Sequence, residues 1–172
     1  MISRPAVTVT VLLGLTLSFV YAVGASVGSA TDYSQHFGAL SKLSVAVAEA
    51  MPPEQYAFRP DPGSMSFGDV MSHIATTNYQ FCAGLKDVSS PAMPTPSNKD
   101  GIVKRLSSSF EYCSAVIQNL TDEQIGKTHN SPDGRMPGRE VLLAMYVHVA
   151  HHRGQAEVYL RDKGITPPSY QF

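Results

Sequence analysis

The run from His148 to Arg161, HVAHHRGQAEVYLR, constrains the fold more than any other stretch of the chain. In an α-helix, residues three and four apart share a face. In such steps Val141, Met145, His148, His152, Gln155 and Tyr159 form a single stripe. Its apolar members turn it toward a core, and two imidazoles go in with it. An imidazole withdrawn from water without a partner is costly. The fold must therefore offer His148 and His152 either a metal ion or buried hydrogen bonds. Their i, i+4 spacing is the one by which a helix presents two imidazoles to one ion. Spacing alone leaves both answers open, because histidine is often half-buried for packing reasons.

Three further segments carry helical periodicity, with Pro-, Gly- or Ser-rich connections between them. The first is expected from about Tyr33 to Glu49, striped by Tyr33, Phe37, Leu40, Ser44 and Val47, capped by Asp32 and stopped by Pro52-Pro53. The second opens near Ser66, where Ser66-x-x-Asp69 reads as a capping box, and runs to Leu85 on Phe67, Val70, Ile74, Thr77 and Phe81. The third spans about Gly101 to Asn119 on Val103, Leu106, Phe110, Cys113, Ile117 and Leu120. The last runs from Arg139 to Lys163, with Gly164 at the C′ position and Pro167-Pro168 beyond it. Residues 86–99 and 121–138 read as irregular, and no strand pattern is visible. Four amphipathic helices with two connections of over a dozen residues predict an all-α four-helix bundle with long crossover loops. Bundles build metal sites from inward-facing side chains of neighbouring helices. His73, beside the second stripe, is the third imidazole that the pair on the last helix lacks.

The first thirty residues are a separate object. Arg4 precedes a charge-free apolar run from Val7 to Val23, followed by small residues that offer cleavage after Ala25 or Ala30. That layout predicts a secretory signal peptide over 1–30, an exported (periplasmic or extracellular) protein, and one bundle domain over 31–172. Removing Arg4 leaves 13 − 1 = 12 basic against 14 acidic residues, a net charge of −2. This argues against nucleic acid or an anionic membrane as partner. A small-molecule substrate and a second copy of the chain, as a homodimer, stay open. No P-loop, nucleophile elbow or dinucleotide fingerprint is present.

The pieces MPPEQYAFRP, SFGDVMSHIA and HVAHHRGQAEVYLRDKGITPPS, in that order, resemble the DinB/YfiT-like four-helix proteins over about Thr31 to Ser169. Within that family the chain is similar to an exported branch with one cysteine in the second helix and one in the third. The resemblance implies a divalent ion, zinc or nickel foremost, held by His73, His148 and His152 with positions open to water or substrate. It also implies a metal-dependent hydrolase or thiol transferase. The alternative is an exported metal-binding or stress-associated protein without turnover. The two cysteines, Cys82 and Cys113, are expected to pair, since export permits a disulfide and no other intramolecular partner exists. Against this stands an offset approaching ~14 Å if the second and third helices were antiparallel with level ends; two buried thiols are the alternative.

The remaining histidines are weaker candidates. His151 points away from His152, His36 sits on the first helix within possible reach of the pocket, and His129 lies in a stretch that would form a pocket rim. Asp69 is assigned to the capping box in preference to orienting His73. Thr77 and Gln155 are expected to hydrogen-bond inside the core, and Tyr159 to pack there. No general base suggests itself.

Overall fold

A computed structural model describes residues 30–170, apart from 93 and 95. The apolar N-terminal run and the cleavage site after Ala25 lie outside the described residues, whereas the alternative site after Ala30 falls at their first residue. Four long helices are present among them: α1 (Ala30–Ala50), α2 (Phe67–Leu85), α3 (Lys99–Gln118) and α5 (Gly138–Asp162). Between α3 and α5 stand a short helix α4 (Asp122–Gly126) and a hairpin of β1 (Thr128–Ser131) with β2 (Gly134–Pro137).

The helix ends follow their local chemistry. The Ser66 hydroxyl accepts the Asp69 N–H while the Asp69 carboxylate accepts the Ser66 N–H, each at 3.2 Å, so the capping box forms. Asp69 also faces Arg59 at 3.7 Å. At the end of α5, Gly164 adopts φ 71° and Ile165 N–H reaches back to the Leu160 carbonyl, closing the helix as expected. The end of α2 uses the same reversal with a residue other than glycine. Asp87 sits at φ 54°, donating to Gly84, while Val88 N–H donates to Ala83.

The connection from residue 121 to 137 differs from its expected irregular form. A second capping box, Thr121 with Gln124, starts α4. The hairpin turns through Pro132-Asp133, with Gly134 at φ 108° opposite Ser131. Strands of four residues present only two side chains per face, too few for an alternating pattern to show. They pair in register Thr128↔Pro137 to Ser131↔Gly134. The hairpin is clamped to α2 at Gly84, where an added Cβ would lie 2.1 Å from the Asn130 carbonyl oxygen.

Side-chain pairings give the helix directions. Gly68 lies against Ile102, Thr76 accepts from Arg105 at 3.0 Å, Asn78 donates to Ser109 at 3.1 Å, and Cys82 is bonded to Cys113. Residue numbers rise together, so α2 and α3 are parallel, and residues 86–98 are the crossover that returns the chain along the bundle. That direction removes the offset expected of antiparallel helices, and the bridged Cα atoms lie 5.5 Å apart. α1 runs against α3, with Phe37 on Phe110 at 5.4 Å between ring centres and the Lys99 ammonium on the Glu49 and Met51 carbonyls. α5 runs against α2, with Cys82 beside Met145 and Met65 beside Tyr159. Thus α1 and α2 each border both α3 and α5. Fully buried Phe37, Phe67, Phe81 and Phe110 fill the centre, each contributing about 1.5–3 kcal/mol by burial.

Candidate metal centre

Antiparallel packing of α2 on α5 brings His73 opposite His148 and His152. The ring centres lie 4.9 Å (His73–His148), 4.6 Å (His73–His152) and 4.5 Å (His148–His152) apart. All three side chains are half-buried, and Phe81 stands edge-on to His148 at 5.9 Å.

Hydrogen bonds decide which nitrogens face inward. The Thr77 hydroxyl donates to the His73 carbonyl at 2.9 Å, so toward His148 Nδ1, 3.3 Å away, it acts as acceptor. The proton of His148 therefore sits on Nδ1, and its Nε2 keeps a lone pair. On His152 the direction comes from further off. The Met65 carbonyl can only accept, so Tyr159 donates its single phenolic proton there, at 3.1 Å. Gln155 Nε2 then donates to the Tyr159 oxygen at 3.0 Å. The amide oxygen is left facing His152 Nδ1 at 3.1 Å, and it accepts. His152 Nε2 is thereby also a bare lone pair. His73 Nε2 approaches His148 Nε2 to 3.0 Å. Lone pairs that close repel unless a proton or a cation lies between them. A proton on His73 satisfies one pair, whereas a divalent ion satisfies all three rings.

Electrostatics agree with neutral rings. Burial pushes the His148 pKa down to about 4, helped by His152, His73 and His151 nearby. Burial also lowers His73 and, against a raising hydrogen bond from Gln155, His152. Neutral imidazole is the metal-binding form. Imidazole–zinc bonds are about 2.0–2.1 Å, so two donors on one ion stand no more than ~4.2 Å apart. The His73–His148 pair at 3.0 Å already complies. One donor atom from each ring lies within 4.8 Å of the others, so the widest pair needs at most ~0.6 Å of closure. The three residues fit a divalent ion.

The other candidates fall elsewhere. Exposed His151 stacks edge-on against His152 at 4.8 Å but does not join the cluster. His36 is exposed and lines a cavity of about 260 Å³ between α1 and α5 with Leu43, Tyr146 and Arg153. The placement of His129 on a pocket rim is overturned. It is 1 % exposed, with Nε2 donating to the Gln124 carbonyl at 2.7 Å and Nδ1 at 3.0 Å from Asp87. Lys127 completes that group at 2.7 Å from Asp87, and hydrogen bonds from Lys127 and then His129 hold the Asp87 carboxyl below its usual range. Thr77 and Gln155 hydrogen-bond in the core as expected, while buried Tyr159 also transmits direction to His152. The Met65 carbonyl was invisible in the sequence because any residue supplies one. An open groove lined by Asp133, Glu140, Ala144, Val147 and His151 leads to His148 from solvent.

Comparison with known proteins places this geometry in a family. YjoA of Bacillus subtilis strain 168, an uncharacterised protein, is 29% identical over 142 residues, covering 79% of this chain and 92% of its own. Its crystal structure, described as that of a DinB-like protein, superposes with a TM-score of 0.71 at 26% identity, over 81% of this chain and 98% of that one. A DinB-like protein of Bacillus cereus ATCC 10987 gives 0.71 at 21% identity, over 82% and 97%, and shows the shared fold. The DinB superfamily pattern itself matches residues 37–156. This chain, a mostly helical four-helix bundle with His73, His148 and His152 gathered from its second and last long helices, belongs to the DinB superfamily.

Proposed function

We propose that the chain holds one divalent ion, zinc or nickel, through His73, His148 and His152, and uses it in hydrolysis of, or thiol transfer to, a small molecule. The observation that carries this reading is the convergence of three imidazoles whose Nδ1 protons on His148 and His152 are tied outward by Thr77 and Gln155. Three neutral ligands leave an ion its full charge. An ion so held supplies Lewis acidity, drawing the pKa of a coordinated water or thiol toward neutrality. The protein's own part is to keep the rings neutral by burial, to orient two of them by hydrogen bonds, and to admit substrate along the groove beside His148.

A second reading, an exported metal-binding protein without turnover, draws on one observation. Among the described residues no carboxylate joins the three imidazoles. Export itself is supported by the charge-free run over 7–23 and by a disulfide of the kind that persists in oxidising compartments. No helix among the described residues is long and apolar enough to cross a membrane. On this reading the signal peptide covers 1–30 and the exported domain 31–172.

Elemental analysis of protein purified without chelators tests the site. About one equivalent of metal in the wild type and little in His148→Ala or His152→Ala is the expected outcome; equal content in all three sinks it. Metal-dependent turnover of thiol-transfer or ester substrates, or its absence in fully loaded protein, then separates the enzyme from the carrier. N-terminal sequencing should find Ser26 or Thr31 first, and an intact Met1 in soluble cytoplasm would refute export.

A further inference from the structure

Two sides of α5 carry different chemistry. His148 and His152 meet α2, whereas Tyr146, Ala150, Arg153 and Glu157, in steps of three and four, follow the side that meets α1 and the C-terminal segment. On that side lies the cavity of about 260 Å³, walled by Ala39, Leu40, Leu43, Val147 and Ala150, with Tyr170 at one edge. An apolar cavity of about 150 Å³ already holds a benzene ring. This one has room for a ring or a short aliphatic chain together with a small polar head.

Arg153 supplies the charge at that wall. Its side chain is only 13 % exposed. One terminal nitrogen donates to the Glu157 carboxylate, and the guanidinium carbon lies 5.8 Å from the centre of the Tyr170 ring. Its Nε is buried and makes no hydrogen bond. A buried N–H of a charged group left without an acceptor is uncommon and costly, because nothing replaces the water it gave up. Glu157 does not balance the charge, since the same carboxylate also faces Arg161 at 3.9 Å. Two guanidiniums share one carboxylate, and one positive charge is left over beside an apolar cavity. The complement is a single negative charge on an apolar body. A carboxylate matches the guanidinium edge. A phosphate brings more oxygens than walls of alanine, leucine and valine can satisfy.

We propose that this cavity binds a small monocarboxylate with an aromatic or short aliphatic body, the body packed between α1 and α5 and the carboxylate accepting from Arg153 Nε. The site goes beyond the metal reading and stands independently of it. Arg153 follows His152 in sequence but projects about 100° away around the helix, and none of the three clustered imidazoles lines the cavity. Ala39 and Leu43 also border a wider groove along α1 with Gly38 and exposed Lys42, whose ammonium draws an anion toward the opening.

Fluorine NMR titration of the purified protein with 4-fluorophenylacetate, its termini established by mass spectrometry, provides the test. The wild type is expected to bind with Kd below ~1 mM, the range open to a ligand of this size. 4-Fluorobenzyl alcohol, a ring without the charge, should bind at least ~10-fold more weakly, and 4-fluorobenzylamine should not bind. Arg153→Met should erase the preference for the carboxylate over the alcohol. That change also strips Glu157 of a partner, so Ala150→Phe is measured beside it. The added ring fills the cavity from an exposed position, leaves Arg153 and Glu157 paired, and should abolish binding of both compounds without lowering the melting temperature. His148→Ala should bind 4-fluorophenylacetate as tightly as the wild type, which tells the cavity from a carboxylate held on the metal and keeps failure of the two sites distinguishable. Four results would each overturn the proposal: no binding by the wild type, equal affinity for the three compounds, undiminished binding by folded Ala150→Phe, or lost binding in His148→Ala. A cavity already filled by residues 171–172 would show itself as the first of these.

Discussion

Two histidine sites lie along α2, and they use the same side chain in opposite ways. At the C-terminal end, His129 is sealed from water with both ring nitrogens against acceptors, the Gln124 carbonyl and the Asp87 carboxylate. Near the middle, His148 and His152 each spend one nitrogen on a neutral partner and turn the other toward His73. The first site gives each nitrogen a protein partner and closes a joint between hairpin and bundle. The second leaves lone pairs crowded together in a half-buried, neutral setting. Burial alone therefore does not separate a structural histidine from a ligand. The count of nitrogens already satisfied does.

The widest break in that comparison should come from exchanging one alanine for another. His148→Ala should abolish metal retention, while its thermal stability without metal should change little or rise, because it relieves crowded lone pairs. His129→Ala should do the reverse. It strands the Gln124 carbonyl and opens a cavity, at about 2–4 kcal/mol. At ~2–4 °C per kcal/mol for a chain of this size, the melting temperature should fall by roughly 10 °C with metal content intact. Paired calorimetry and elemental analysis check both arms. If His129→Ala lost its metal as His148→Ala does, the two sites would not be separable.

The disulfide sharpens the contrast from another side. Cys82 and Cys113 are fully buried, and Cys82 lies against Met145, one turn before His148. The bridge closes a span of 31 residues and ties the parallel pair α2 and α3. Cys82→Ala with Cys113→Ala should cost about 2–4 kcal/mol, measured by denaturant midpoint, yet leave one equivalent of metal. Loss of metal together with the bridge would mean that α3, which carries no member of the triad, holds α2 in place for the site.

These contrasts were unevenly legible in the residues themselves. The stripe Val141, Met145, His148, His152 announced itself because a helix repeats locally, and His73, beside the stripe of the second helix, offered the third imidazole. The parallel course of α2 and α3 did not, since periodicity records which face is buried and says nothing of direction. That is why the separation of Cys82 from Cys113 looked too long before the crossover was seen. His129 was misplaced for a related reason: Asp87, its partner, is 42 residues away. Asp87 itself occupies a left-handed position that glycine would ordinarily fill. The Thr121-x-x-Gln124 box and the Pro132-Asp133-Gly134 turn were readable signals for α4 and the hairpin. Four-residue strands between them were too short to confirm either.

The relay from Met65 predicts a smaller effect that only an orienting role would produce. Gln155→Leu removes the acceptor that holds the proton on His152 Nδ1, while leaving a side chain of similar bulk. Metal affinity should fall by about 10–100-fold, the usual effect of losing a partner that orients a ligand. Tyr159→Phe should fall less, because Gln155 Nε2 can still turn to the Met65 carbonyl. Gln155→Glu should retain affinity, since a carboxylate can only accept from His152. Competition titration with a chromophoric chelator ranks the three. A role in packing alone predicts that Glu and Leu behave alike, which would remove Gln155 from the site.

The smallest expected effect concerns pH, and its sign follows from the direction of the shifts. His73, His148 and His152 have pKa values below the ordinary 6.5, with His148 at about 4, so the unfolded chain binds more protons than the folded one between those values. Stability of the metal-free protein should then rise as pH climbs from about 4 to 6.5 and level off above. It is lost as pH falls through the folded values, where charging crowded, half-buried rings opposes folding. Metal retention should follow the same window, persisting below pH 6.5 and failing as His148 takes up its proton. Replacing all three histidines by glutamine should flatten the slope of stability against pH. A slope indifferent to the triple change would place the charge cost of acid elsewhere in the protein and withdraw the claim that these rings are kept neutral by the fold.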